Sequence, residues 1–162
     1  MALNAYLTLK GQKTGPVNGS VTQAGRVDQI MVIAVSHEII SPRDAASGLP
    51  TGKRMHKPFI VTKELDKSTP LLYSLLSHNE NITEFCIDFY RPDKSGIETK
   101  AYTVKLTNAN IASIDFHMAN NKHPDLMKFA EYEEVAFTYQ KIEWSWTAGN
   151  ITADDDWEAP LT

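Results

Sequence analysis

The residues able to do chemistry are few, and their spacing argues against most of the chemistry they suggest. His37-Glu38 opens like the zinc-binding helix of a metalloprotease, but Ser41 stands where the second histidine belongs, and the flanking Val and Ile residues read as strand. Asp115, His117 and His123 are a conceivable metal set. Two of them sit on one strand and the third in a loop, so a structural role is expected and no metal ligand is assigned. Gly48-Leu49-Pro50-Thr51-Gly52-Lys53-Arg54 resembles a phosphate loop and fails twice. Three residues rather than four separate the glycines, and Arg54 replaces the Ser or Thr that binds magnesium. Cys86, the single cysteine, has Glu84 and Asp88 on its strand face, where negative charge disfavours the thiolate. Asp154-Asp155-Asp156 lacks the glycine and spaced ligands of a calcium loop. The expectation is a protein without catalytic residues, metal or cofactor, and so not an enzyme.

One basic cluster stands out: Lys53, Arg54, His56, Lys57, Lys63 and Lys67. It suits an acidic partner, either nucleic acid or another copy of this acidic chain. A solvated loop and strand edge is the plainer alternative. The chain has 162 residues, with 16 Lys+Arg against 20 Asp+Glu, for a net charge of −4. That length fits one domain, residues 1–162, with a core that needs no disulfide. That charge opposes broad attraction to phosphate backbones and anionic membranes. Apolar residues make up 42%, which excludes a disordered chain. The N-terminus lacks the basic and apolar regions of a signal peptide. The longest wholly apolar run, Ile30 to Val35, has six residues, where a membrane span needs about twenty. No membrane insertion is expected, and folding in a cytosol is.

The elements that position these residues read mostly as strands. Phe85, Ile87 and Phe89 alternate with Glu84, Cys86 and Asp88; Tyr102, Val104 and Leu106 with Thr103, Lys105 and Thr107; Val135, Phe137 and Tyr139 with Glu134, Thr138 and Gln140. Each pattern predicts a half-buried strand. Val27 to Ile40 is apolar through its middle and predicts a long strand covered on both faces. Asp93-Lys94-Ser95-Gly96 predicts a hairpin turn. Pro70, preceded by Ser68 or Thr69 as cap, predicts a helix with Leu71, Leu72, Leu75 and Leu76 on one side. A second, one-turn helix is expected at Pro124-Asp125. The sum is an all-β fold: a β-barrel of about eight or nine strands with one α-helix packed on the outside. It carries a long extended loop, 41–57, and an acidic C-terminal tail, 147–162.

Three blocks carry a resemblance. The densest reads Thr51-Gly52-Lys53-Arg54-Met55-His56-Lys57-Pro58-Phe59, then Thr62-Lys63-Glu64-Leu65-Asp66-Lys67-Ser68-Thr69-Pro70-Leu71-Leu72-Tyr73. The second is Tyr139-Gln140-Lys141-Ile142-Glu143-Trp144, with Gly149-Asn150-Ile151 and Asp156-Trp157 after it. The third is Ala5-Tyr6-Leu7-Thr8-Leu9-Lys10-Gly11. Taken in chain order, they resemble the haemolysin-coregulated protein family, Hcp, the tube protein of bacterial type VI secretion. The resemblance implies a homohexameric ring with a wide channel, and rings stacked into a tube within a contractile sheath and under a spike protein. It further implies a tube that waits in the bacterial cytoplasm, is ejected into the extracellular space or a target cell, and can carry small effector proteins. With no room for an appended toxin domain, the plain tube subunit is the expectation.

Within that picture, the length and charge of the 41–57 loop make Arg43, Asp44, Thr51, Lys53 and Arg54 the candidate ring-stacking residues, with Asp154 to Asp156 of the next ring a possible counterpart. The doubly apolar run makes Ile30, Val32 and Ala34 the candidate contacts within a ring. The other reading is a small β-barrel that binds single-stranded nucleic acid through the Lys53 to Lys67 cluster.

Overall fold

The computed structural model describes residues 3–157. In chain order it contains β1 (Asn4–Gly11), β2 (Gly15–Val17), β3 (Ile30–Val32), β4 (Ala34–Ser36), β5 (Ile39–Ile40), β6 (Met55–His56) and β7 (Phe59–Glu64). Then come α1 (Thr69–Ser77), β8 (Ile82–Pro92), β9 (Glu98–Thr107), β10 (Asn110–His117), β11 (Tyr132–Thr138), β12 (Lys141–Trp146) and β13 (Ile151–Asp156).

These strands make a seven-stranded sheet in the order β13-β12-β9-β8-β1-β2, with β3 also paired to β1, and a four-stranded sheet in the order β10-β11-β7-β4. Among the described residues the ladders do not close into the expected barrel. Instead the inward faces of the two sheets meet. Leu7, Leu9, Phe85, Ile87, Val104 and Leu106 from the larger sheet pack with Phe59, Val61, Val135 and Phe137 from the smaller. The alternation read from β8, β9 and β11 is the pattern that such half-covered strands need.

The run from Val27 to Ile40 is not one long strand. Its residues 30–32 pair with β1 in the larger sheet, and residues 34–36 pair with β7 in the smaller. At the corner between them, Ile33 N–H donates to Thr62 O at 2.9 Å. Ile30 and Val32 face the core from the first segment and Val35 packs against it from the second, while Met31 and Ile33 on the other face are exposed. The acidic tail also differs from expectation: residues 151–156 form β13, an edge strand along β12. Ile-Thr-Ala-Asp-Asp-Asp has no apolar period because an outer strand with little buried surface needs none.

The helix is where the leucines place it, with Leu72 and Leu75 fully buried. Its start differs in detail. Ser68 makes no side-chain cap; its Oγ donates to Asp66 Oδ1, which also accepts from Ser68 N–H at 2.9 Å. The one-turn helix expected at Pro124-Asp125 is a set of turns. The Asp93 to Gly96 turn is as expected, with Asp93 Oδ1 accepting from Ser95 and Ile97 N–H and Gly96 at φ +85°.

One glycine is demanded by close approach. A Cβ at Gly19 would lie 2.5 Å from Gln29 O and 2.6 Å from Ile30 Cα. Backbone cannot give way as a flexible side chain can, so Gly19→Ala is expected to destabilise by about 1–3 kcal/mol. Thermal unfolding should then start several degrees lower, at about 2–4 °C per kcal/mol for a chain of this size.

Candidate functional site

A connected polar cluster lies at the root of the 41–57 loop. That loop is an arm. Its base is the β5/β6 ladder, which pairs with neither large sheet. Its tip is a turn in which Asp44 Oδ2 accepts from Ser47 N–H at 2.8 Å and Ser47 Oγ at 2.7 Å. Those bonds hold the Asp44 carboxyl below its ordinary value. Gly48 takes φ +73° and Arg43 bridges to Pro50 across the arm.

Side chains attach the arm to the body. Arg54 Nε and Nη2 grip the two carboxylate oxygens of Asp155 on β13, at 2.5 and 2.7 Å, and Nη2 also donates to Asp156 O at 3.0 Å. His56 Nε2 lies 2.7 Å from Asp155 Oδ2, and its Nδ1 lies 2.8 Å from Tyr139 Oη. His37, just past β4, closes the set with Nε2 at 2.7 Å from the same Oη. Trp157 packs on the His56 ring and donates its indole N–H to Tyr139 O. The forked Arg54–Asp155 pair is the strong, directional kind. The Arg54 guanidinium holds the Asp155 carboxyl below the usual carboxylate range, and His56 adds to this. Burial pushes the His37 imidazolium down, and repulsion from His56 adds to it. Burial, with Asp155 nearby, raises the Tyr139 phenol.

The arrangement braces the arm. It joins two stretches that the sequence places about a hundred positions apart, so the basic residues of the arm are legible and their acidic partner is not. Arg54, expected to face a neighbouring ring, is engaged by Asp155 of its own chain. Arg43, Asp44, Thr51 and Lys53 are exposed along the arm. Ile30 and Val32 are 0% and 5% exposed, packed in the chain's own core, while Ala34 is exposed. The exposed apolar members of that neighbourhood are Met31 and Ile33, joined by Leu3.

Most of the basic cluster is paired within the chain. Lys57 pairs with Glu38 at 3.0 Å, Lys67 with Asp28 at 3.1 Å, and Lys63 is buried against Glu133 at 2.7 Å. The metal set read from sequence changes composition. His117 Nε2 sits 3.1 Å from Asp115, and Glu134 on β11 joins them, while His123 forms part of the turns after β10. Cys86 is half-buried, and burial followed by Asp88 pushes its thiol up to about 11, which disfavours the thiolate at neutral pH.

Two buried ionic groups escaped the sequence reading. Lys63 Nζ donates to Glu133 Oε1 at 2.7 Å and Glu64 O at 2.9 Å, with Asp66 Oδ1 at 3.1 Å. Arg26 pairs with Glu98 at 2.7 Å and lies over the Tyr90 ring, 3.9 Å from its centroid. The signal for the first pair is parity. Lys63 shares its strand face with Phe59 and Val61, and Glu133 shares its face with Val135 and Phe137.

Fold and site together define a mainly β protein of two packed sheets with a side-chain-braced arm. A family model described as type VI secretion system effector, Hcp, matches residues 6–146. The major exported protein of Pseudomonas aeruginosa is 38% identical over 170 residues, covering 99% of each sequence. A solved Hcp protein superposes with a TM-score of 0.90 at 32% identity, covering 98% of this chain and 100% of that one. The secreted protein Hcp3 from Pseudomonas aeruginosa superposes at 0.80 with 32% identity and the same coverage. The chain belongs to the Hcp family of type VI secretion proteins, as the three sequence blocks indicate. No helix among the described residues is long and apolar enough to cross a membrane.

Proposed function

We propose that this chain is a structural subunit of the type VI secretion inner tube. Copies close into a six-membered ring, rings stack into a hollow tube, and the tube waits in the bacterial cytoplasm inside a contractile sheath and beneath a spike. Contraction ejects it into the extracellular space or a target cell, with small effector proteins in its lumen. Family membership supports the reading. The observation in this chain that carries it is the apolar ridge of Leu3, Met31 and Ile33, which are 64%, 45% and 53% exposed beside the strand that joins the two sheets. Met31 and Ile33 line a groove of about 680 Å³, and Leu3 and Ile33 line one of about 420 Å³. Three large apolar side chains set together in water favour a covering surface, and a ring of head-to-tail copies supplies one.

Native mass measurement tests the ring. A six-fold multiple of the 18.1 kDa chain is expected, and Ile33→Asp should shift the population to smaller species. A clean monomer of the parent chain at micromolar concentration would overturn the reading. Stacking is assigned to the arm, through the exposed Arg43, Asp44, Thr51 and Lys53. Arg54 serves it indirectly, by bracing the arm against Asp155. The double variant Arg43→Glu with Lys53→Glu spares Arg54, and should leave the ring mass unchanged while suppressing tubes in electron micrographs. Normal tubes from that variant would remove the arm from stacking. The internal pairing of Arg54, Lys57, Lys63 and Lys67 weighs against the nucleic-acid reading.

A further inference from the structure

Tyr139 has one hydroxyl hydrogen and two imidazole neighbours, His37 Nε2 at 2.7 Å and His56 Nδ1 at 2.8 Å. His56 Nε2 faces the Asp155 carboxylate at 2.7 Å and therefore carries a hydrogen. In the uncharged array every group is satisfied. His37 Nε2–H donates to Tyr139 Oη, the Tyr139 hydroxyl donates to His56 Nδ1, and His56 Nε2–H donates to Asp155. One added proton on His56 reverses both bonds at Tyr139. His56 Nδ1–H then donates to Oη and the hydroxyl donates to His37 Nε2, whose hydrogen moves to Nδ1. The array is again complete, and the new cation lies against Asp155. A second proton ends this. Both imidazolium rings must donate to one oxygen, the hydroxyl hydrogen loses its acceptor, and two cations flank Oη.

The other groups facing the cluster do not absorb that charge. From the arm comes Arg54, already committed to Asp155; from β13 and its end come Asp155, the Asp156 carbonyl, the Asp156 carboxylate, which also favours the Arg54 charge and accepts from Gln140 Nε2 at 3.2 Å, and the Trp157 ring. From β7 comes only the Phe59 ring, against His37. Glu38 and Lys57 pair with each other in solvent nearby.

We propose that His37, Tyr139, His56 and Asp155 form an acid-opened latch on the arm, which accommodates one proton by reversing its hydrogen bonds and releases the arm from β13 on taking a second. The sign follows from His37. Its folded value lies below the ordinary 6.5, so the unfolded chain binds that proton more readily. The stability of the neutral site is fully present above the ordinary 6.5 and is lost as the pH falls from there through the lower folded value. Asp155, held low by Arg54, stays charged over this interval. The latch is a property of the chain's own contacts and does not depend on the arm stacking rings.

Imidazole nitrogen NMR and amide exchange on the intact chain test it, between about pH 7.5 and about pH 5, with exchange rates corrected for intrinsic pH dependence. The parent chain should show a His37 tautomer change as the array takes its first proton. Its arm amides, residues 39–56, should then exchange at least about tenfold faster at the lower pH, while those of β8 and β9 stay constant. His37→Gln, which can donate or accept but takes no proton, should flatten the arm's response. Unchanged arm exchange in the parent, or equal loosening in the parent and His37→Gln, would overturn the latch. If that variant does not fold, the parent's nitrogen spectra decide: two independent titrations with no tautomer change refute it.

Discussion

Lys63→Met should unfold at a much lower denaturant concentration than the parent chain, with a loss of about 3–5 kcal/mol. Lys63 and Glu133 stand directly opposite each other in the β7–β11 ladder. Their side chains are 1% and 0% exposed. The Glu133 carboxylate receives Lys63 at 2.7 Å and the Thr69 hydroxyl at 3.1 Å, and Oε2 has no hydrogen-bond partner among the described residues. Removing the ammonium leaves a carboxylate in a dry site, and a charge so placed is far costlier than a lost surface pair. The helix start should suffer with it, because Lys63 Nζ also donates to Thr69 Oγ1 at 3.2 Å and lies 3.1 Å from Asp66. The double variant Lys63→Met with Glu133→Leu removes both charges and should recover most of the loss, as buried pairs replaced by apolar groups often do. Urea unfolding of the two singles and the double gives the coupling directly. Additive losses would mean that the two charges do not depend on each other.

Phe85→Ala should be comparably severe, at about 3–5 kcal/mol by the same measurement. Phe85 lies on β8 and reaches across the core to Phe137 of β11 and Phe59 of β7, with ring centroids 4.8 and 5.8 Å away in edge-to-face geometry. It is one of the side chains through which the larger sheet packs on the smaller, and it is 2% exposed. Neither sheet can collapse into the gap while strand pairing fixes its backbone. Phe129, 57% exposed, is the control: Phe129→Ala should stay within about half a kcal/mol of the parent. Together these two chains of contact, one ionic and one aromatic, fix the smaller sheet against the helix and against the larger sheet.

How much of this the sequence discloses depends on whether a residue's role is local. The strands at 85–89, 102–106 and 135–139 are legible because each has one covered face, and alternation records that. The helix is legible because Pro70 and four leucines mark it within nine residues. The run from 27 to 40 misleads because apolar residues on both faces can mean one doubly covered strand or a strand that changes sheets. β13 is silent because an edge strand buries too little to leave a pattern. In the arm, the sequence shows Lys53, Arg54 and His56 as one basic group. It does not show that Arg54 and His56 share Asp155 while Lys53 stays in solvent. The inward parity of Lys63 and Glu133 was legible in principle: opposite charges on the core side of two strands have to find each other.

The short passage from Ile30 to Ser36 belongs to both sheets at once, bonded to β1 at one end and to β7 at the other. A body so stitched has no seam along which it could come apart in halves. Strain applied to one layer is handed to the next through continuous main chain, and a partial melt would have to tear that stitch before either layer could go its own way.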